Sequence, residues 1–445
     1  MTAPGASGLL RKTLHTFATL LFGQGASIAA GIATARAFGP AGKGTMSFAA
    51  IVLTFAVTAA DGIKAAVAYQ VGSERRSART VWRAALRLAA AAATFGTATL
   101  LAIWHGDSTR TAFLYAACAF PFALYLQAIG VVYQLCDRVE RINVKNAATI
   151  GGGGSLLVLA LVTIVHAPLA VVMVAWVATY VAAALWSSFG VDAMLGPGGR
   201  GAAEGGPAQS LLARQLHFGA KAAASSTITF LALRVDVFIV GATLAPAQLG
   251  IYTLALATGE VMWGVSRALQ WSSAGRVATL DRAAAAALTA QLVRSIVALQ
   301  VVGGVMLAAL GPWLIVHLYG ARFAEAGPVL RLLLPGMVLY SADGLLSYFI
   351  SVRAGRPGLL LGLECITLAV CAALTLATIG PFGLRGAALA DTAAYVAAYC
   401  VKVTFFARLS GTPLREILVP MPSDVPARLR SRLTASLRAR RSADV

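Results

Sequence analysis

Residues 358–379 read GLLLGLECITLAVCAALTLATI, a run of 22 residues with one charged side chain, Glu364. At 1.5 Å per residue, such a run makes a helix about 33 Å long, enough to cross a hydrocarbon core of about 30 Å. Comparable apolar stretches occur at about 14–38, 44–63, 82–104, 111–135, 142–165 and 168–189. After a gap they resume at 216–244, 248–273, 287–316, 326–352, 358–379 and 386–409. The pattern predicts an all-α polytopic membrane protein with about twelve transmembrane helices. Of the 445 residues, 58% are hydrophobic and 12% charged, whereas a soluble domain carries about 25% charged residues. The mean hydropathy of +0.77 fits the same reading.

Arg11 and Lys12, an apolar run and Ala33-Thr34-Ala35 together mimic a signal peptide. The stretch from Leu14 to Ala35 is too long for a signal core and reads as a retained first helix.

An even number of spans puts both termini on one side. With this topology 29 of the 36 Lys and Arg lie on that side. Six face the other way (Arg36, Lys43, Arg110, Arg322, Arg331, Arg385), and Arg234 is left within a helix. The positive-inside rule then makes both termini cytoplasmic. Topology also accounts for most of the net charge of +19, so no nucleic-acid partner is implied.

The gap, Gly190–Ser210, contains Gly196-Pro197-Gly198-Gly199 and Gly205-Gly206-Pro207 and reads as a flexible linker. The expected organisation is a bundle at 1–189, a cytoplasmic linker at 190–213, a second bundle at 214–409 and a basic tail at 410–445. The tail, with Arg415, Arg428, Arg430, Arg432, Arg438, Arg440 and Arg441, suits anionic lipids as a partner; a solvated, topogenic tail is the alternative. Cys118, Cys136, Cys365, Cys371 and Cys400 lie in or beside apolar segments with no C-x-x-C pair, and the five His sit at segment ends. Neither pattern implies a metal, a cofactor or a catalytic base.

The halves resemble each other. Pro40-Ala41-Gly42-Lys43-Gly44 matches Pro246-Ala247-Gln248-Leu249-Gly250, 206 residues later. At an offset of 215, Arg138 and Arg141 match Arg353 and Arg356, and Tyr180-Val181-Ala182-Ala183 recurs as Tyr395-Val396-Ala397-Ala398. Six helices per copy means that both copies enter the membrane in the same direction. Transporters place substrate between such repeats, so this organisation favours transport over catalysis.

Five motifs carry a family resemblance: Ala35-Arg36-Ala37-Phe38-Gly39-Pro40-Ala41-Gly42-Lys43-Gly44; Arg234-Val235-Asp236-Val237-Phe238 with Leu249-Gly250-Ile251-Tyr252; Leu318-Tyr319-Gly320-Ala321-Arg322-Phe323; Ala354-Gly355-Arg356-Pro357; and Gly380-Pro381-Phe382-Gly383-Leu384-Arg385-Gly386. In this order, over residues 10–410, the chain resembles the Wzx-type oligosaccharide flippases of the multidrug/oligosaccharidyl-lipid/polysaccharide exporter superfamily. The resemblance implies two six-helix bundles around a central cavity in a bacterial cytoplasmic (inner) membrane. It also implies a non-enzymatic function: flipping an undecaprenyl-diphosphate-linked oligosaccharide to the outer leaflet by alternating access, with cation coupling and polysaccharide assembly proteins as optional additions.

A charge in hydrocarbon costs about 2.5–3.5 kcal/mol on insertion scales, so each intramembrane charge needs a reason. Arg234 and Asp236 lie two residues apart on helix 7 and point in different directions. Either Arg234 meets a diphosphate while Asp236 serves a coupling cation, or both make interhelical salt bridges. Glu260, Trp263, Arg267 and Trp271 form one helical stripe, with Trp263 and Arg267 suited to a glycan-lined cavity and Glu260 to ion coupling. Trp271 alone reads better as an interfacial anchor. On helix 2, Asp61 and Lys64 form a second stripe with Thr54 and Thr58, Asp61 as an ion candidate and Lys64 as a substrate contact, or both snorkel to water. Arg36, at the outer end of helix 1, either contacts substrate or is solvated. Among Asp343, Glu364 and Asp391, each able to carry a proton or sodium ion, Asp343 is preferred, because Glu364 lies near a cytoplasmic end. Gly151–Gly154 is either a hinge or a close-packing site in helix 5.

The competing functions are a cation-coupled drug or metabolite antiporter of the same superfamily, a membrane glycosyltransferase or polysaccharide polymerase, and a scaffold of an assembly complex. Mixed acids and bases lean toward an anionic substrate. The topology makes a direct prediction: a cysteine replacing Ala203 reacts with an impermeant thiol reagent only after the membrane is opened. Labelling from outside reverses the orientation.

Overall fold

A computed structural model describes residues 6–419 and 421, except 73, 75, 107–110, 137, 150–151 and 196–207. Most of the Gly-rich linker and of the basic tail therefore lies outside the described residues. Among the described residues the regular structure is entirely helical. Water is absent from hydrocarbon, so each backbone N–H and C=O must find its partner within the chain, and helices satisfy that locally.

Two elements, Ala6–Val57 and Pro357–Ser410, are 52 and 54 residues long. A straight helix of that length would reach about 80 Å, more than twice the hydrocarbon thickness. Each is two helices. Gly39 (φ 65°, ψ −168°) and Gly383 (φ 55°, ψ −134°) hold conformations that a Cβ would strain. At the second bend the Thr378 hydroxyl donates to the Gly386 carbonyl (2.9 Å), although eight residues of straight helix would span about 12 Å. The chain doubles back there.

Eight described helices are long and apolar enough to span, and the pair Leu211–Ala232 and Val235–Thr243, bent by 61°, makes a ninth. Resolving both doubled helices into two, and adding Pro246–Glu260 with Trp263–Thr279, is consistent with the twelve spans expected. Helix 5 is interrupted at the glycine run, ending as Val139–Ala148 and resuming as Gly153–Thr163.

The chain forms two compact units, 1–253 with 315–324, and 254–314 with 325–445. They differ from the 1–189 and 214–409 bundles that the linker suggests, because Ala208–Ala232 packs along Ala59–Gly72 in the first unit. Gly62 and Gly219 let these two backbones touch, a Cβ on Gly219 falling 2.8 Å from the Gly62 carbonyl oxygen. Thr58 and Thr227 share a hydroxyl hydrogen bond (2.9 Å), and Gln215 donates to Gln70 (3.0 Å). In the same unit the duplicated motifs meet each other. A Cβ on Gly44 would strike the backbone of Pro246 and Gly250, and one on Gly250 would strike that of Pro40 and Gly44. This reciprocal contact is what a local two-fold axis relating the motif copies would produce. The second unit is built around Ile296, Leu346, Phe349 and Phe406, all at most 1% exposed.

Because the obstructing atoms at Gly44 and Gly250 are backbone, an added methyl cannot be relieved by a rotamer change. Gly44→Ala and Gly250→Ala should each destabilise by about 2–3 kcal/mol, within the usual cost of overpacking. Gly275, with nothing within 4 Å of an added Cβ, is the control. Thermal unfolding in detergent should show lower midpoints for the first two variants and an unchanged or raised one for Gly275→Ala.

Candidate functional site

The principal concentration of buried charge described lies in the second unit. Lys402, on the last long helix, is 0% exposed. Its ammonium donates to Asp343 Oδ1 (2.5 Å), Glu364 Oε1 (2.7 Å) and Ser347 Oγ (3.2 Å), one acceptor for each proton. The Tyr340 ring lies 5.8 Å from the same nitrogen, within cation–π range. Asp343 is the first residue of Asp343–Tyr348, placed there by the turn at Ser341 and Ala342. Glu364 is 4% exposed, and its Oε2 has no hydrogen-bond partner.

Aromatic rings enclose the cluster. Tyr340 stacks on Tyr395 (4.5 Å), and Trp263 packs against both (5.6 and 6.0 Å) while its indole N–H donates to the Met337 carbonyl (3.0 Å). Asp391, 0% exposed, lies 3.8 Å from Cys371 Sγ and acts electrostatically on Tyr340. Two carboxylates, Asp343 and Glu364, thus share one buried ammonium.

The structure brings the sequence candidates Asp343 and Trp263 together and adds Glu364 and Lys402. Charge counting passed over Lys402 because it lies near a helix end in the linear sequence. The Glu260–Trp263–Arg267–Trp271 stripe is broken: a tight turn at Val261 and Met262, closed by Met262 N–H to Gly259 O, separates Glu260 from the next helix. Trp263 turns inward, while Arg267 and Trp271 are exposed.

The first unit holds the other candidates. Arg234 is half-buried at the N-cap of Val235–Thr243, at the 61° bend and not within an unbroken helix. Asp236 is 0% exposed and accepts a hydrogen bond from the Tyr252 hydroxyl (2.6 Å). Arg36 donates to the carbonyls of Leu318 (2.8 Å) and His317 (2.6 Å), capping the C-terminus of the helix that ends at Tyr319. Asp61 and Lys64 form a half-exposed i,i+3 pair (2.5 Å). Lys64 is close enough to act electrostatically on Lys145, which sequence reading overlooked. Lys145 is 7% exposed, donates to the Leu126 carbonyl (3.0 Å), and lines a recess of about 310 Å³ with Thr54, Gln127, Asn146, Thr149 and Tyr180. Leu53, Val57, Ala123 and Leu126 complete the lining, which is largely apolar and holds one cation and no carboxylate.

The fold is similar to that of solved transporters of the multidrug/oligosaccharidyl-lipid/polysaccharide exporter (MOP) superfamily. It is similar to the inward-facing conformation of a multidrug resistance MATE family transporter (14% identity, 87% of this chain and 95% of that one, TM-score 0.66). The lipid II flippase MurJ in its inward closed conformation is similar too (10% identity, 92% and 89%, TM-score 0.66). So is a MOP superfamily transporter from Pyrococcus furiosus (14% identity, 90% and 95%, TM-score 0.55). No curated protein sequence matches. Residues 33–328 match the model of the polysaccharide biosynthesis protein family, and the chain belongs to that family.

Removing Lys402 leaves two buried carboxylates facing each other, and breaking a buried ion pair from one side costs about 3–5 kcal/mol. Lys402→Met should therefore lower the unfolding midpoint and the yield of folded protein in sodium-free buffer. Adding Glu364→Gln to it should recover part of the loss. Unfolding midpoints of the single and double variants, measured side by side, check both statements.

Proposed function

We propose that this protein flips an undecaprenyl-diphosphate-linked oligosaccharide from the cytoplasmic to the outer leaflet of a bacterial inner membrane, by alternating access coupled to a cation. Membership of a polysaccharide biosynthesis family supports the glycan class, and a fold shared with a lipid II flippase supports a lipid-linked cargo. The observation that carries the reading is the Lys145 recess, whose cation and neutral polar groups suit an anionic headgroup. The Lys145 ammonium sits in a poorly hydrated site, where attraction to a diphosphate is weakly screened. Lys64 adds charge beside it, and Arg234 at the helix bend is a second candidate contact. Cytoplasmic termini, anionic lipid at the basic tail and contact with polysaccharide assembly proteins belong to the same proposal.

The buried carboxylates Asp343, Glu364 and Asp391 favour one alternative, a cation-coupled antiporter of drugs or metabolites. Those acids are compatible with either cargo, since both mechanisms need an ion site. The Lys145 recess, with a cation and no acid, supports the first reading.

Translocation is measured in cells that depend on this protein, as the fraction of lipid-linked oligosaccharide reached by an impermeant glycan-oxidising reagent. Lys145→Gln should reduce that fraction at least about tenfold, the loss of one charge-assisted contact, at unchanged membrane abundance. Lys145→Arg should retain part of it. Arg234→Ala should also abolish flipping, with Arg234→Lys intermediate, because Lys keeps the charge and loses the planar fork. Full translocation by Lys145→Gln at normal abundance removes the recess from the substrate path.

A further inference from the structure

Lys402 sits where two carboxylates and a hydroxyl converge: Asp343 Oδ1, Glu364 Oε1 and Ser347 Oγ, at 2.5, 2.7 and 3.2 Å. Oxygens converging in this way make a site for a small monovalent cation, and here an ammonium on a side chain fills it. All three of its protons are taken, and its own helix holds it there. A sodium ion would have to displace a group that cannot diffuse away.

The charges in this pocket do not balance. Lys402 offers one positive charge to two acids, Asp343 and Glu364. The groups that face them are Tyr340 from the helix ending there, Ser347 from Asp343–Tyr348, Cys371 from the Glu364 helix, and Tyr395 from the Lys402 helix, all neutral when protonated. A bare carboxylate oxygen left buried without a hydrogen-bond partner is costly, and Glu364 Oε2 is such an atom. A proton there restores electroneutrality to the Asp343–Lys402–Glu364 group.

We propose that Lys402 is a resident cation that closes the acidic site of the second unit to sodium, and that the exchangeable ion of this site is a proton held on Glu364. The inference rests on the reading of the protein as an ion-coupled transporter, and it names the ion. Protonation forms an O–H bond at Glu364 Oε2 with a proton taken from water on one side of the membrane. Release returns that proton to water on the other side and leaves the carboxylate bound to Lys402 through Oε1.

The test needs no lipid-linked substrate, so its outcome is separate from that of the translocation measurement. Purified full-length protein in lipid nanodiscs is assayed for binding of radioactive sodium. Its unfolding midpoint is compared in sodium chloride and in choline chloride of equal ionic strength. The wild type should bind no sodium and unfold at the same temperature in both salts. Lys402→Met, with the ammonium removed and both acids kept, should gain sodium binding and a sodium-specific rise of about 2–4 °C. That gain should disappear in Lys402→Met/Glu364→Gln. If Lys402→Met does not fold in either salt, the proton arm decides. Between mildly acidic and neutral pH, indicator-dye titration of Glu364→Gln should release about one proton fewer per chain than the wild type. Stoichiometric sodium binding by the wild type that is lost in Asp343→Asn, or an unchanged proton count in Glu364→Gln, overturns the proposal.

Discussion

In hydrocarbon a backbone carbonyl without a partner costs several kcal/mol, and this chain interrupts its helices repeatedly. At several helix ends the last carbonyls lose their partners in the helix, and arginine side chains from other segments satisfy them. Gln300 donates to the Met262 carbonyl (2.7 Å) at the turn before Trp263. Trp263 donates to the Met337 carbonyl, which also accepts from the Ser341 N–H (3.1 Å) at the break. Arg36 covers the last carbonyls before Gly320, Arg282 reaches Leu409 (2.6 Å), and Arg141 reaches Phe189 (2.7 Å). Several of the polar residues that look functional by composition are therefore holding the ends of helices. Arg36 is the clearest case.

Interrupted helices can then pack closely where glycine removes the side chain. Gly62 against Gly219, and Gly44 against Gly250, bring backbones into contact that any Cβ would prevent. Association of helices in lipid has little hydrophobic drive, so close van der Waals contact of this kind supplies the attraction. The aromatic cluster of Phe48, Phe113, Phe238 and Phe55, with ring centroids 5.4–5.8 Å apart, fills the space beside these contacts. Gly241 lies directly against the Phe48 ring.

How much of this was legible in the sequence depends on the length scale. Apolar runs of about 20 residues and the ordered motifs gave the helices, the membrane and the superfamily, because hydropathy is summed over whole segments. Single-residue placement was less legible. The Trp263 stripe assumed a constant 3.6-residue period, and one tight turn at Val261 and Met262 shifted the register. Arg234 read as a mid-helix charge because no proline or glycine marks the bend beside it. Lys402 and Lys145 lie close enough to segment ends to pass as snorkelling cations. What identifies them is the set of partners around them, Asp343 and Glu364 for one and Leu126 O for the other, and those lie 19 to 59 residues away in sequence.

The offset of 215 residues connects the two polar sites. Thr149 and Tyr180 line the Lys145 recess of the first unit, and the residues 215 positions later are Glu364 and Tyr395 in the Lys402 cluster. Ser187 is 0% exposed, and its counterpart at the same offset is Lys402, also 0% exposed. Equivalent helix positions are thus turned inward in both copies, while their chemistry has diverged: threonine and serine in one, glutamate and lysine in the other. A repeated pattern of helix packing would bury the same positions twice and so account for the shared burial. It does not explain the divergence in charge. A recess with a lysine and no acid suits an anion, and a cluster with more carboxylates than cations suits a proton. The proposed function calls for one site of each kind, and the two sites fall at matching positions of the 215-residue offset.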